Sequence, residues 1–179
     1  MPDTHVQLWD PVVRVLHWVL ALAFILNYVV VEAGDDVHQW LGYLAASAIS
    51  VRVVWGYRNT GAARWSAFWP TPARLAAHVR QLLRGGHPAH LGHSPIGALV
   101  MILLLSLMAA LAVTGFMMEE IDYFWGEEWL ENVHETFANS LAALVSLHVS
   151  AAIFESIRLR ENLPWSMVTG RRRAPHAAD

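Results

Sequence analysis

The sequence has no cysteine and no lysine, and only 15% of its 179 residues are charged. Without cysteine the chain forms no disulfide, thiolate-held iron–sulfur cluster or zinc finger, and it holds no haem covalently through a C-x-x-C-H motif. Hydrophobic residues make up 55% of the chain, which excludes a disordered chain and is unusually high for a soluble domain. The net charge of −3 indicates no nucleic-acid partner.

Four apolar stretches are long enough to cross a membrane as helices. A hydrocarbon core about 30 Å thick needs roughly 20 apolar residues of helix. The stretches lie at about 15–31, 37–57, 96–118 and 134–156, the last with an uncharged centre over 136–154. The alternative is a soluble bundle, but its helices usually show a polar stripe that the third stretch lacks. The sequence therefore predicts an all-α fold, an integral membrane four-helix bundle that forms one domain over 1–179.

The charged residues alternate in sign between the loops. The loop at 58–94 and the tail at 158–179 contain ten of the twelve arginines: Arg58, Arg64, Arg74, Arg80, Arg84, Arg158, Arg160, Arg171, Arg172 and Arg173. The loops after the first and third stretches have acidic charges only: Glu32, Asp35, Asp36, Glu119, Glu120, Asp122, Glu127, Glu128 and Glu131. By the positive-inside rule, both termini and the loop at 58–94 are predicted to be cytoplasmic, and the acidic loops face outward.

A short amphipathic helix is predicted inside the cytoplasmic loop. Thr71 and Pro72 are typical of a helix start, with threonine as the cap and proline at the first position. The apolar face consists of Leu75, Val79, Leu82 and Leu83. Gly85 and Gly86 end the segment. We interpret it as a helix on the cytoplasmic membrane surface, and the alternative is an ordinary solvated loop helix.

Four of the ten histidines lie within or at the ends of the apolar stretches, namely His17, His38, His134 and His148. Ionisable residues inside a bilayer are costly and are therefore functional candidates, although any one of them alone could be a polar side chain bonded to a neighbouring helix. His134 and His148 are 14 residues apart, so they share a helix face and lie about 21 Å apart along its axis. Depth therefore pairs His17 with His148 on the inner side and His38 with His134 on the outer side.

Two histidine pairs that bridge helices, one near each face, suit two b-type haems with two axial histidines each. Imidazole is a common haem ligand, and the cores of helix bundles hold such cofactors. An iron with two axial imidazoles is six-coordinate, which favours electron transfer over oxygen binding. Met117 and Met118 lie at a plausible outer depth and are the less favoured alternative ligands.

Arg52 lies 14 residues after His38 and therefore at the inner level of the same helix. It is predicted to pair with a propionate of the inner haem, and the alternative is an arginine that snorkels from a helix end. Gly42 and Gly115 would admit a flat macrocycle, but glycine also simply lets helices approach closely.

Four segments resemble the bacterial cytochrome b-561 family, which includes the b-type cytochrome subunits of nickel–iron hydrogenases. They are VQLWDPVVRVLHW at 6–18, HQWLGYLAASAISVRVVWGY at 38–57, LGHSPIGAL at 91–99 and HETFANSLAALVSLHVSAA at 134–152. The resemblance implies a four-helix bundle in the bacterial inner membrane, two b haems and electron exchange with quinone. It places the haem ligands at the positions of His17, His38, His134 and His148.

The resemblance leaves the redox partner open. The patterns HET-x-AN and LH-x-x-AA look like members that oxidise superoxide and pass electrons to ubiquinone. The patterns WDPVVRVLHW and GHSP-x-GAL look more like members that serve a periplasmic hydrogenase, c-type cytochrome or molybdenum enzyme. The acidic outer loops would repel superoxide and attract a basic protein. We therefore expect a di-haem cytochrome that links quinone to a periplasmic redox protein, with superoxide oxidation as the alternative.

The quinone site is the least specified part of the prediction. His93, Arg14 and Trp18 cluster at the cytoplasmic level of the inner haem, and each is a candidate for binding a quinone carbonyl or a propionate. A haem-free transporter or scaffold, with the histidines as a proton path, is a third hypothesis. The four short stretches show no inverted repeat and no broken helix, which disfavours a transporter.

Overall fold

The computed structural model describes residues 5–59, 61–85, 92 and 94–173. Its helices are α1 (Pro11–Ile25), continued by a π-helical turn (Leu26–Val30), α2 (Asp36–Arg58), α3 (Trp65–Phe68), α4 (Pro72–Leu83), α5 (Pro95–Glu120), a 3-10 turn (Asp122–Phe124), α6 (Glu128–Leu159) and α7 (Leu163–Thr169). Two short strands are β1 (His5–Gln7) and β2 (Arg171–Arg173). Each predicted apolar stretch lies within one of the long helices α1, α2, α5 and α6, apart from the last residue of the first stretch.

Within the described residues, three helices are long and apolar enough to cross a membrane: α1 with its π-helical turn, α5 and α6. Only 6%, 11% and 6% of the residues in their most apolar windows are buried by the protein itself. A soluble monomer rarely exposes so much apolar surface, so the exposed faces of these helices suit contact with membrane lipid. The 23-residue helix α2 is outside this group because His38, Gln39 and Arg52 make it more polar.

Side-chain caps satisfy the first backbone N–H groups of α1 and α4. The Asp10 carboxylate accepts from Val12 N at 2.8 Å, and Pro11 occupies the first turn of α1. The predicted amphipathic helix is confirmed as α4, where the Thr71 hydroxyl accepts from Arg74 N at 3.3 Å. Leu83 on the apolar face of α4 is 83% exposed. This exposure is consistent with the predicted helix on the membrane surface, whose apolar face contacts lipid.

The chain divides into two compact units. The first, which we call the histidine unit, comprises Val15–Val54 and Leu103–His148 and contains parts of four helices. Polar contacts join these helices in pairs: Asn27 to the His38 carbonyl, Tyr28 to Asn139, Tyr43 to Glu120, and Thr114 to His134. Its buried apolar residues are Ala23, Ala45, Ala48, Ile49, Leu130 and Leu141. Alanines let membrane helices approach closely.

The second unit, which we call the terminal unit, comprises Met1–Arg14, Trp55–Ile102 and Val149–Asp179. Here β1 and β2 pair antiparallel, with Val6 opposite Arg172. The sequence did not predict this strand pair, because strands of three residues show no readable alternation and these two are more than 160 residues apart. Gly170, with φ of +81°, caps α7 and accepts from Leu8 N at 2.9 Å, and glycine adopts this left-handed conformation without steric cost.

A partly buried ion pair ties β2 to the segment after α6. Glu161 binds Arg172 at 3.0 Å, with side-chain exposures of 16% and 9%, and accepts from Arg173 N at 2.8 Å. Burial alone would raise the pKa of Glu161, but the hydrogen bonds and positive charges of Arg172 and Arg173 outweigh it and lower that pKa below its ordinary value of 4.5. The ionised carboxylate therefore stabilises the folded terminal unit.

We expect Glu161→Gln to loosen this strand pair. Hydrogen bonds to charged groups contribute about 1.5–3 kcal/mol each, so amide exchange of the paired strands should accelerate about tenfold or more at neutral pH. The pKa of Glu161 is lower in the folded protein than in the unfolded chain. The difference in exchange rate between Glu161→Gln and the unaltered protein is therefore largest above the ordinary carboxylate pKa. It disappears as the pH falls through the lowered pKa of the folded state. Hydrogen exchange followed by mass spectrometry measures this.

Glu155→Gln is the matched control for that variant. Glu155 pairs with Arg158 within one helix turn at 2.6 Å, but its side chain is 39% exposed, and exposed pairs contribute little. Exchange in the strand pair should be unchanged in this variant. Equal acceleration in both variants, or a difference that persists at low pH, would show that Glu161 does not hold the strands through its charge.

Candidate functional site

The first histidine pair bridges α1 and α6 within the histidine unit. The ring centres of His17 and His148 lie 6.5 Å apart with a 57° angle between the ring planes, and both side chains are half-buried. His17 also contacts Trp18 edge-on at 5.4 Å. The structure thus brings together the two residues that depth alone pairs on the inner side.

The second histidine pair bridges α2 and α6 in the same unit. The ring centres of His38 and His134 lie 6.2 Å apart at 55°, again half-buried. The two imidazoles differ in their other contacts. His134 Nδ1 is 2.7 Å from the Thr114 hydroxyl of α5, whereas His38 Nδ1 is buried and has no hydrogen-bond partner in the described part of the chain.

Both pairs have a spacing that suits one metal ion between two imidazoles. Imidazole nitrogen binds a first-row ion such as zinc at about 2.0–2.1 Å. The centre of a five-membered ring with bonds near 1.33 Å lies about 1.1–1.2 Å from each atom. Two imidazoles on opposite sides of one ion therefore have centres roughly 6.2–6.6 Å apart, a range that includes the 6.5 and 6.2 Å observed.

Clusters of three or more histidine or carboxylate ligands are absent from the described residues. What the histidine unit offers is two separate positions with two imidazoles each. Either pair could hold the iron of a haem, which would supply a redox centre there.

The other predicted site residues lie in different surroundings. Arg52 is buried in the histidine unit at 5% exposure. Arg14 belongs to the terminal unit, where its guanidinium donates to the Val168 carbonyl, a partner that its sequence position does not suggest. Trp18 is 40% exposed. His93 lies outside the described residues.

A family model described as prokaryotic cytochrome b561 matches residues 8–170. The chain belongs to the prokaryotic cytochrome b561 family. The match covers all but the first seven and the last nine residues, so it includes both histidine pairs and all four long helices. No curated protein and no solved structure matches the chain significantly.

Membership in the cytochrome b561 family confirms the resemblance seen in the sequence. It makes the protein a helical membrane cytochrome of the b type, whose family binds haem and takes part in electron transfer. Haem without a covalent link agrees with the absence of cysteine.

Two contacts at this site escaped the sequence reasoning. Thr114 lies in the uncharged third stretch, and nothing in its spacing indicates a bond to a histidine 20 residues later on another helix. Asn27, on the π-helical turn, donates to the His38 carbonyl at 3.1 Å. The one signal was the presence of polar side chains inside apolar stretches, since buried polar groups need hydrogen-bond partners.

Proposed function

We propose that the protein is a di-haem membrane cytochrome that carries electrons between the quinone pool and a periplasmic redox protein. His17 and His148 hold the inner haem, and His38 and His134 hold the outer one. The observation that carries this proposal is the spacing of the two pairs, 6.5 and 6.2 Å between ring centres. When bound, each haem iron supplies a one-electron redox centre.

The arrangement of the ligands on α6 supports transfer across the membrane. His134 and His148 lie on one continuous helix, about 21 Å apart along its axis. That distance is most of the hydrocarbon thickness of about 30 Å. In this proposal α2 is the fourth membrane span, because it contributes His38 and is hydrogen-bonded to the apolar helices. Asn27 donates to the His38 carbonyl, and Tyr43 donates to Glu120.

The polar residues in α2 are accounted for by the same proposal. An ionisable residue inside a membrane helix is costly and is a functional candidate by default. Arg52 is buried at 5% exposure and lies four turns from His38, so we assign it to a propionate of the inner haem. His93 and Arg14 remain candidates for a propionate or for a quinone carbonyl, and Trp18, beside His17, remains one for the quinone site.

The uneven distribution of charge supports a topology in which the arginine-rich segments are cytoplasmic and the acidic segments are periplasmic. The arginine-rich loop and tail are on the cytoplasmic side by the positive-inside rule. The nine acidic residues in the α1–α2 and α5–α6 connections and in the helix turns beside them are exposed and belong to the histidine unit. A surface with that charge attracts a basic protein and speeds its encounter, so we propose a basic periplasmic c-type cytochrome or oxidoreductase subunit as the partner.

The experiment is electron transfer in vesicles that contain the purified, haem-loaded protein. A short-chain ubiquinol is added first, and the b-type absorption bands are followed. A basic ferric c-type cytochrome is then added outside. We expect quinol to reduce the haems and the added cytochrome to reoxidise them. Haems that quinol leaves oxidised, or that the cytochrome leaves reduced, would contradict this function.

Superoxide oxidation is the second candidate because the HET-x-AN and LH-x-x-AA patterns fall at the two α6 ligands. In that case superoxide reduces the haems with no protein partner, and quinone takes up the electrons. Against it stands the exposed acidic surface, which repels an anion. The same vesicles distinguish the two, because reduction by a superoxide-generating system in place of quinol would favour this second function.

A further inference from the structure

The Thr114 hydroxyl lies between its own helix and a histidine of the next one. Thr114 is buried at 7% exposure on α5. Its Oγ1 is 2.9 Å from the Ala110 carbonyl, 3.2 Å from the Leu111 carbonyl and 2.7 Å from His134 Nδ1. We propose that Thr114 is a positioning residue that fixes the tautomer of His134 and lowers the reduction potential of the haem that His134 holds. This inference rests on the proposed function.

The Thr114 hydroxyl can donate only one hydrogen bond. A threonine hydroxyl has one hydrogen and two lone pairs. Both helix carbonyls can only accept, and they lie at the i−4 and i−3 positions where a threonine hydroxyl commonly donates. With its hydrogen directed to them, Oγ1 accepts from Nδ1–H of His134. The Nε2 atom of that ring then has a free lone pair, which is the state that binds a metal.

The bond also has an electronic effect. Accepting a hydrogen bond from the far nitrogen makes an imidazole a stronger donor to its metal. A more basic ligand stabilises ferric iron over ferrous iron, so it lowers the reduction potential. Hydrogen bonding beyond the ligands is one of the ways in which a protein tunes haem.

The effect is confined to one of the two haem positions. Thr114 Oγ1 bonds to His134 and to two carbonyls of its own helix, and His134 belongs to the His38–His134 pair. Thr114 therefore acts on the His38–His134 haem alone, and the His17–His148 haem is an internal reference within the same molecule.

The test is Thr114→Val, which keeps the branched shape and removes the hydroxyl. We expect the potential of the His38–His134 haem to rise, with a three- to tenfold change in its reduction equilibrium, or about 30–60 mV for one electron. The electron paramagnetic resonance signal of that haem should shift too, while the other haem keeps both values. Potentiometric titration of the purified holoprotein measures this.

Two further variants separate positioning from packing. Thr114→Ser keeps the hydroxyl and should keep the potential of the unaltered protein. Thr136→Val makes the same replacement two residues from His134, where the exposed hydroxyl donates to the Asn132 carbonyl, and should change neither haem. If Thr114→Val loses the haem altogether, retention of haem and potential in Thr114→Ser supports the proposal, whereas loss in both overturns it.

Other outcomes overturn the inference without touching the proposed function. Two haems in the unaltered protein, with potentials that Thr114→Val leaves unchanged, would show that the hydroxyl serves only its own helix. Equal shifts at both haems would show a general distortion. Absence of a haem held by His38 and His134 in the unaltered protein would instead refute the proposed function, and the inference with it.

Discussion

Replacing either histidine of one pair should remove one haem and leave the other in place. His148→Ala or His17→Ala should reduce the haem content from about two per chain to about one, because each iron depends on both imidazoles of its pair. His38→Ala or His134→Ala should remove the other haem. The remaining haem shows that the chain has folded, and the pyridine haemochrome assay counts what is left.

The double variants make this expectation sharper. His17→Ala combined with His148→Ala should lose no more haem than either change alone, since both act on one site. His17→Ala combined with His38→Ala should lose both haems. His78→Gln, on α4 in the terminal unit, is the control and should keep both. The pairing would be refuted if replacing one histidine of a pair removes both haems while replacing the other histidine of that pair removes none.

Neutralising the acidic surface should slow reaction with a basic protein partner. Asp122→Asn, Glu127→Gln and Glu131→Gln together remove three of the nine exposed acidic charges in the α1–α2 and α5–α6 connections and the helix turns beside them. Charge complementarity raises association rates by about 10- to 1,000-fold at low salt, so we expect about a tenfold slower reaction with a basic c-type cytochrome. Stopped-flow reoxidation of the reduced haems measures this rate.

Two controls test whether the slower reaction of the triple variant is electrostatic: its dependence on salt, and the opposite effect expected for an anionic reactant. At high ionic strength the difference should vanish, because the screening length falls to about 3 Å at 1 M salt. Reduction by a neutral reagent should be equal in both proteins at every salt concentration. Superoxide, being an anion, should react faster with the triple variant. A faster reaction with superoxide, together with an unchanged rate with the basic cytochrome, would favour the superoxide function.

The parts of the fold that follow a local pattern were predictable. Each apolar stretch became a helix, and Thr71 with Pro72 correctly indicated the start of α4. Helix ends were harder: α6 begins at Glu128, because acidic residues favour the first turn of a helix although they interrupt an apolar stretch. The pairing of β1 with β2 depends on residues at opposite ends of the chain and has no local signal.

The candidate site was predictable where helix geometry alone decides. The 14-residue spacing of His134 and His148 and the membrane depths of His17 and His38 led to the same pairs that the structure brings together. The surroundings of those pairs were not predictable. The bond between Thr114 and His134 depends on how α5 and α6 face each other, and the bond from Arg14 to the Val168 carbonyl depends on the fold of the terminal unit.

The measurement that tests the central claim most directly is the haem content and the low-temperature electron paramagnetic resonance spectrum of the purified, oxidised protein. The proposed ligand sets predict about two non-covalent haem b per chain. They also predict two distinct low-spin ferric signals typical of two axial imidazoles. One haem per chain, a high-spin ferric signal with an open coordination site, or a colourless protein would contradict the proposed site.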